Sequence, residues 1–169
     1  RRAGGTPAPQ LAMSPSSNVR SERIHAVSLL GAGNEPDTSS HHEHDGVRID
    51  PGHDLYGGLL FHSGRFRRLS RYQHLRATEC RAEIKSDGTA GWFGRYLPAT
   101  LVLGDPAVRD AAIHAVQACI PHATVLPIGV DRLVPGSANT SDRCFVHARE
   151  RSRTGDTFIY DLDVTDSNA

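Results

Sequence analysis

The chain has 169 residues, which is enough for one domain with a self-supporting core and too few for a large multidomain enzyme. Its 19 Lys and Arg residues balance its 19 Asp and Glu residues, so no excess charge is present to drive binding to nucleic acid or to an anionic membrane. The 3 cysteines are widely spaced without a CxxC pair, which argues against a disulfide framework and favours a reducing, cytoplasmic location.

Residues 1–48 are predicted to be a low-complexity, largely disordered linker. Gly, Pro, Ser and Ala dominate its first half, and residues 31–46 return to Gly, Asn, Pro, Ser and His, a composition that buries too little apolar surface to offset the entropy of ordering. Within it, residues 24–30 (IHAVSLL) have enough apolar character for one short strand. We therefore expect the ordered domain to span residues 49–169.

Strand signals recur along the predicted domain. Four segments rich in Val, Ile, Phe, Tyr or alternating apolar residues are separated by Gly, Ser and Asn, and they predict strands: 66–85, 125–133, 143–150 and 157–164. The first of these is long enough for a strand pair or one bent strand. The domain is therefore expected to contain five or six strands.

The clearest helix signal covers residues 106–119. Asp105 can cap the helix, Pro106 takes its first position, and Pro121 stops it. The helix is apolar or small on nearly every side, which is typical of a helix buried against a sheet. One helix among several strands predicts an α+β fold.

Three polar residues share one stripe of this helix. Asp110, His114 and Gln117 lie at positions i, i+4 and i+7, and polar groups on a buried helix need a partner or a pocket. A purely structural interpretation also stands, because the helix dipole favours Asp110 near the N-terminus, and His114 and Gln117 can satisfy backbone groups. The spacing alone leaves both interpretations open.

Residues 105–117 (DPAVRDAAIHAVQ) resemble the aspartate motif of polyketide synthase dehydratase domains. Residues 56–69 (YGGLLFHSGRFRRL) resemble the strand that opens the second half of such domains, and the match extends in order over residues 50–166. Within that family, the segment that begins WFGRYLP looks closest to the iterative synthases that make enediyne polyene precursors. The chain is thus similar to the C-terminal half of such a dehydratase.

The resemblance implies a hot-dog fold, an antiparallel sheet wrapped around one long helix, as one half of a double hot dog. It implies that Asp110 is the acid that protonates the departing hydroxyl of a 3-hydroxyacyl thioester, while a His on the other half removes the α-proton. His114, Gln117 and Phe66 are then substrate-binding candidates. The substrate is carried on the phosphopantetheine arm of an acyl carrier protein, so no cofactor of the domain itself is expected. The closing strand of the fold is expected to be missing, which would leave an exposed sheet edge.

The sequence departs from the family pattern in two places. The common His-Pro is replaced by Asp105-Pro106, and the Tyr-Gly-Pro-x-Phe element appears as residues 62–66 (HSGRF), with His62 in the tyrosine position. We therefore do not assign the role of that tyrosine to any residue of this chain.

Residues 42–52 (HEHDGVRIDPG) fit the first-half motif of dehydratases literally, with His42 in the catalytic position. The residues between its Gly and Pro are mixed and not apolar strand, so we favour a chance match and expect the catalytic His upstream of this chain. His41, His42 and His44 could also hold a transition metal. A solvated loop is the favoured interpretation, and no metal site is predicted.

The expected partners are the N-terminal hot-dog half and the carrier protein, with a homodimer also open. Without the first half, the isolated chain is expected to be inactive. One alternative is a non-catalytic scaffold or binding module of the synthase, and another is a self-sufficient hot-dog thioesterase dimer. Six arginines between positions 65 and 81 could meet the acidic surface or phosphate of a carrier, or form a solvated face.

Overall fold

The computed structural model of the chain describes residues 21–32, 48–87, 92, 101, 103–136 and 142–166. The predictions for residues 1–20 and 33–47, including the linker, His42 and the neighbouring histidines, lie outside the described residues.

Six strands form one antiparallel sheet. They are β1 (Ser21–Ala32), β2 (Leu69–Arg76), β3 (Glu79–Lys85), β4 (Thr124–Val134), β5 (Arg143–Thr154) and β6 (Thr157–Asp166). Their order across the sheet is β2-β3-β5-β6-β1-β4, and every neighbouring pair is antiparallel. The predicted strands are confirmed, and residues 66–85 contain the strand pair β2 and β3.

The predicted helix is also confirmed. Helix α1 (Pro106–His114) continues directly as a 3-10 turn (Ala115–Cys119). The side chain of Asp105 caps it by accepting a hydrogen bond from the Ala107 amide at 2.8 Å. Small side chains on its buried face let the helix lie close to the sheet, with Ala107, Ala111, Ala112 and Ala115 fully buried. The fold is α+β, a hot-dog fold in which one helix packs on an antiparallel sheet.

Strand β1 corrects the predicted domain boundary. It lies inside the sheet between β6 and β4, and its Ile24, Val27 and Leu29 side chains are buried in the core. The ordered domain therefore includes residues that were assigned to the linker. The local composition hides this, because the strand gains its stability from partners at least 92 residues away in sequence.

The missing closing strand stays a prediction, but the exposed edge that it would leave does not lie at β6. Strand β6, the last described strand, pairs with β5 on one side and β1 on the other. The strand that covers β6 comes from the N-terminal segment. In the described part of the sheet, the edges are β2 and β4.

An ion pair fixes β1 against the helix. The Arg109 guanidinium donates to both oxygens of Glu22, from Nε at 2.7 Å and from Nη2 at 3.1 Å, and both side chains are mostly buried. Such a two-pronged pair has a defined geometry. Because Arg109 precedes Asp110, the contact also holds the first turns of α1 in place.

The cysteines Cys80, Cys119 and Cys144 are buried as free thiols. Burial raises the pKa of the Cys144 thiol to about 12, which keeps it protonated and unreactive near neutral pH. Among the described residues, no helix is long and apolar enough to cross a membrane.

Candidate active site

Two parts of the chain meet at the candidate site. Helix α1 supplies Asp110 and His114, which lie one turn apart on the same face. The other part is the irregular segment before β2, in which Tyr56 ends a short π-helix (Pro51–Leu55) and His62 precedes a 3-10 turn (Gly64–Phe66). The helix thus presents a carboxylate and an imidazole to two aromatic groups from a distant part of the sequence.

The carboxylate of Asp110 lies between two imidazoles. Its Oδ2 atom is 3.1 Å from Nε2 of His62 and 3.3 Å from Nδ1 of His114. The side chains of His62 and His114 are 13% and 8% exposed, whereas that of Asp110 is 36% exposed. We call these three residues the His–Asp–His cluster. Its carboxylate is the member that solvent or a ligand reaches most easily.

Tyr56 fixes the protonation of His114. The Tyr56 hydroxyl accepts a hydrogen bond from the Leu69 amide at 3.0 Å and lies 2.9 Å from Nε2 of His114. Burial raises the pKa of Tyr56, so its hydroxyl keeps a proton, and among the described residues the acceptor that it contacts is Nε2 of His114. Burial also lowers the pKa of His114, so the ring is neutral. Its single proton is therefore on Nδ1, the nitrogen close to Asp110.

Three polar atoms of the cluster are buried without a well-aligned hydrogen bond to any described residue. They are Nδ1 of His62, Oδ2 of Asp110 and Nδ1 of His114. Buried polar groups normally have hydrogen-bond partners, and an unpaired one is costly. Their concentration in one cluster indicates a place where a polar ligand group or a proton completes the arrangement.

The cluster borders a narrow, mainly apolar cavity of about 100 Å³. Asp110, His114 and Gln117 all line it, so the predicted stripe does face a pocket. Apolar walls come from β1, α1 and β4. The stacked rings of Phe61 and His62, with centroids 4.7 Å apart, form an exposed rim, because Phe61 is 80% exposed. An apolar chain that enters this cavity would bring a polar group to Asp110.

A larger groove of about 480 Å³ lies elsewhere, around Arg23, Arg149 and Asp163. Its charged groups pair with one another, since Asp163 contacts both arginines at 3.2 and 3.3 Å. The smaller cavity is the better candidate because it combines an apolar wall with unpaired polar atoms.

Gln117 and Phe66 are placed differently from Asp110 and His114. Gln117 lines the cavity, but its amide donates to the carbonyls of Ile120 and Ala123 and accepts from the Val125 amide. Phe66 is not among the described residues that line the cavity, and its ring packs edge-on against Trp92 at 5.5 Å. The structure brings the first three predicted residues together and leaves Phe66 outside.

Replacing Gln117 with Leu is expected to lower the free energy of unfolding by about 1–3 kcal/mol, because buried backbone groups after the helix lose their partners. Chemical denaturation measures this, with the same change at the exposed Gln73 of β2 as the control. If stability is unchanged and the KM for the substrate rises, Gln117 is instead a substrate contact.

His114 is expected to make the fold sensitive to mild acid. Its pKa is lowered from 6.5 in the folded chain, so below that pH the unfolded state binds a proton that the folded state rejects. Stability is then complete above pH 6.5 and is lost as the pH falls, by at most about 1.4 kcal/mol per pH unit. Denaturation of wild type and His114→Gln between about pH 5 and pH 7 tests this. Equal pH slopes in the two proteins would contradict it.

The cluster also offers three ligand atoms within 4.8 Å of one another, a spacing that a transition metal could use. A metal would need the Nδ1 lone pair of His114, and the proton would have to move to Nε2. The Tyr56 hydroxyl proton would then have no acceptor among the described residues. The donor set therefore suits proton transfer better than metal binding.

The sequence analysis did not select Tyr56 or His62 as site residues. His62 was noted only as a departure from the family pattern, and that departure was the available signal. Tyr56 carried none, because a tyrosine in an apolar segment is most often a core residue.

A comparison with protein families matches residues 33–168 to the family described as polyketide synthase dehydratase N-terminal domain. No curated protein and no solved structure matches the chain. The match covers most of the chain and includes the whole His–Asp–His cluster. The chain therefore belongs to the polyketide synthase dehydratase family.

Proposed function

We propose that this chain is the second, C-terminal hot-dog half of a dehydratase domain that eliminates water from 3-hydroxyacyl chains held on an acyl carrier protein. The observation that carries this proposal is the Asp110 carboxyl group, held between two imidazoles beside a narrow apolar cavity. The matched family is described as an N-terminal domain. Our assignment to the second half relies instead on the helix that carries Asp110.

The chemistry needs an acid at the position of Asp110. A base removes the α-proton of the 3-hydroxyacyl thioester, and the electrons of that C–H bond form the new C=C bond. The C–O bond breaks at the same site, and the departing oxygen takes a proton from Asp110 and leaves as water. Hydroxide is a poor leaving group, so elimination at neutral pH depends on this proton.

Residues around Asp110 divide the remaining tasks. His114, whose Nε2 contacts the Tyr56 hydroxyl, places its Nδ1 atom 3.3 Å from the Asp110 carboxylate and so lies beside the proposed acid. The apolar wall of the cavity accommodates the acyl chain, and the exposed Phe61 guides it at the rim. Substrate contact by Gln117 and Phe66 stays a prediction, with Gln117 the better placed of the two. The base comes from the partner half, so we expect the isolated chain to be inactive.

The exposed side chains of the edge strand β4 are evidence that a partner hot-dog half packs there. Its alternate side chains Leu126, Ile128 and Val130 are 54%, 59% and 44% exposed, and Leu126 also lines the cavity. An uncovered strand edge with apolar side chains favours association with another sheet. The N-terminal half of the same domain is the occupant we propose. A second copy of this chain is the alternative.

The carrier protein brings the substrate on its phosphopantetheine arm, and no resident cofactor is part of the proposal. Of the arginines considered for carrier binding, Arg68 pairs with Asp87 and Arg71 pairs with Glu83. These two therefore have local structural partners. The proposed product is an enoyl, polyene-forming intermediate of enediyne biosynthesis, made by a cytoplasmic multifunctional synthase.

The second candidate function is a non-catalytic scaffold that binds the acyl chain or the carrier. The small size of the cavity and the 36% exposure of the Asp110 side chain are the observations that keep it under consideration. A hot-dog thioesterase dimer is a third possibility. Neither the scaffold nor the thioesterase function explains the unpaired polar atoms around Asp110.

Mass spectrometry of a carrier-bound 3-hydroxyacyl thioester tests the three functions together. The dehydratase domain that contains this chain is expected to convert the substrate to the enoyl form with loss of one water. Binding without conversion would support the scaffold, and release of the free acid would support the thioesterase. Either of these results would overturn the proposal.

A further inference from the structure

We infer that Tyr56 is a positioning residue for the proposed elimination: its hydroxyl group orients the His114 imidazole so that an N–H group, and not a bare nitrogen, faces the Asp110 carboxyl group. This inference rests on the proposed function, because it assigns a role beside the same acid. It concerns a tyrosine that lies outside helix α1 and is not among the described residues that line the cavity.

A backbone amide sets the direction of the hydrogen bonds at Tyr56. The N–H group of Leu69, the first residue of β2, donates to the Tyr56 oxygen at 3.0 Å, and a backbone amide can only donate. The same oxygen lies 2.9 Å from Nε2 of His114. If Nε2 were protonated, two donors would meet the tyrosine oxygen, and its own proton would have no acceptor among the described residues. The Tyr56 proton therefore points to Nε2, which acts as the acceptor.

The remaining proton of the His114 ring is then on Nδ1. Burial lowers the pKa of His114, so the ring is neutral and carries one proton. With Nε2 occupied as an acceptor, that proton is on the other nitrogen. The Nδ1 atom lies 3.3 Å from Oδ2 of Asp110. The amide of Leu69 thus determines, through Tyr56, which side of the imidazole faces the acid.

Packing keeps the two rings in this arrangement. Tyr56 and His114 are both buried, and their rings meet edge-on with centroids 5.7 Å apart. The His62 ring lies on the other side of His114, at a centroid distance of 4.2 Å. The Arg67 guanidinium lies over the Tyr56 ring at 5.0 Å. The His114 imidazole is therefore held between two aromatic neighbours and has little freedom to turn.

The orientation of His114 matters when Asp110 gives up its proton. In the proposed elimination this proton moves to the departing oxygen, so negative charge develops on the Asp110 carboxyl group. The contact with Nδ1 is not aligned well enough for a hydrogen bond, so its effect is that of a nearby dipole. A fixed N–H dipole stabilises the developing charge without reorganisation at the moment of reaction. With the opposite tautomer, the lone pair of Nδ1 would face that charge and oppose it.

Tyr56→Phe tests this role in the dehydratase domain that contains this chain. The change removes the hydroxyl group and keeps the packed ring. We expect kcat for dehydration to fall by about 10–100-fold with KM nearly unchanged, because the lost dipole acts on the transition state and not on substrate binding. Conversion of a carrier-bound 3-hydroxyacyl thioester to the enoyl product measures both constants.

The matched control is Tyr72→Phe. The Tyr72 hydroxyl donates to the Ala115 carbonyl at 2.7 Å, so this change also removes a tyrosine hydrogen bond to the helix, but at a distance from Asp110. Both variants are expected to lower the temperature of thermal unfolding slightly, and Tyr72→Phe is expected to keep the wild-type kcat and KM. Equal values of kcat in the two variants would reduce Tyr56 to a structural role and overturn the inference.

A double-mutant cycle shows whether Tyr56 acts through His114. The His114→Gln variant has no imidazole to orient, so adding Tyr56→Phe to it is expected to change kcat by no more than about twofold. If the two losses instead multiply, Tyr56 acts independently of His114, and the inference is wrong.

The tautomer of His114 is measured separately, on the full chain and without substrate. Long-range ¹H–¹⁵N NMR of the imidazole groups distinguishes protonation at Nδ1 from protonation at Nε2, and the spectrum of His114→Gln identifies the His114 signals. We expect an Nδ1 proton in the wild type and in Tyr72→Phe, and a share of Nε2 protonation in Tyr56→Phe. Protonation at Nε2 in the wild type, or an unchanged tautomer in Tyr56→Phe, would contradict the inference.

The failure of the proposed function looks different. If Asp110→Asn converts substrate normally, the acid assignment itself is wrong, whatever the tautomer of His114. If Asp110→Asn abolishes conversion while Tyr56→Phe keeps the wild-type kcat, only the positioning role of Tyr56 is wrong.

Discussion

Asp110→Asn is expected to lower kcat for dehydration by about 10²–10⁴-fold, with the fold intact, in the dehydratase domain that contains this chain. The change keeps the size and shape of the side chain and removes only its ability to give up a proton. The loss is expected in kcat more than in KM, because the proton is needed in the transition state. Conversion of carrier-bound 3-hydroxyacyl thioester to the enoyl product measures it.

The Asn variant also predicts a structural outcome. Its amide can still lie between His62 and His114, and with Asp110 only about one third exposed, the cost to stability should be small beside the loss of rate. Asp131→Asn, on the exposed part of β4, is the matched control and should keep both stability and rate. Undiminished conversion by Asp110→Asn would return the helix stripe to a structural role and favour the scaffold.

Local signals in the sequence were sufficient for most elements of the fold. Helix α1 begins where an Asp cap and a first-position Pro are expected, because these effects depend on residues within one turn. The strands β4, β5 and β6 follow from runs of β-branched and aromatic residues. What could not be predicted locally is which strands become neighbours.

Strand β1 shows this limit most clearly. Residues 24–30 have enough apolar character for one short strand, but the flanks are polar, so the entropy argument assigns the whole segment to a linker. Its stability comes from pairing with β4 and β6, and from the contact of Glu22 with Arg109, 87 residues away in sequence. A composition argument has no access to contacts of that range.

In the candidate site, too, the local features could be predicted from the sequence and the long-range contacts could not. Asp110 and His114 were found together because an i, i+4 spacing on a helix is a local rule. Tyr56 contacts His114 from 58 residues away, and no spacing rule predicts that contact. His62 was visible only as an exception to a family pattern. The contact of its Nε2 with Asp110 gives that exception a chemical meaning.

Deleting residues 1–48 is expected to abolish cooperative unfolding. The deletion removes β1, which joins β4 to β6 in the described sheet. It also removes the buried side chains of Ile24, Val27 and Leu29 from the core. Each buried aliphatic side chain contributes about 1.5–3 kcal/mol, and the net stability of a domain is about 5–15 kcal/mol. Circular dichroism during thermal unfolding measures the loss. Deletion of residues 1–20 keeps every described strand and is the control, expected to unfold cooperatively like the full chain.

A pair of adjacent residues separates the role of the buried strand from the length of the deletion. Leu29 is 1% exposed and Leu30 is 48% exposed, so neighbouring leucines of β1 point to different environments. Leu29→Ala is expected to cost about 2–5 kcal/mol, whereas Leu30→Ala is expected to change stability by no more than about 0.5 kcal/mol. Equal and small effects at both positions would mean that β1 is not part of the core. The Leu29 side chain also lines the cavity beside Asp110. Equal and small effects would therefore mean that Leu29 does not form part of the cavity wall either.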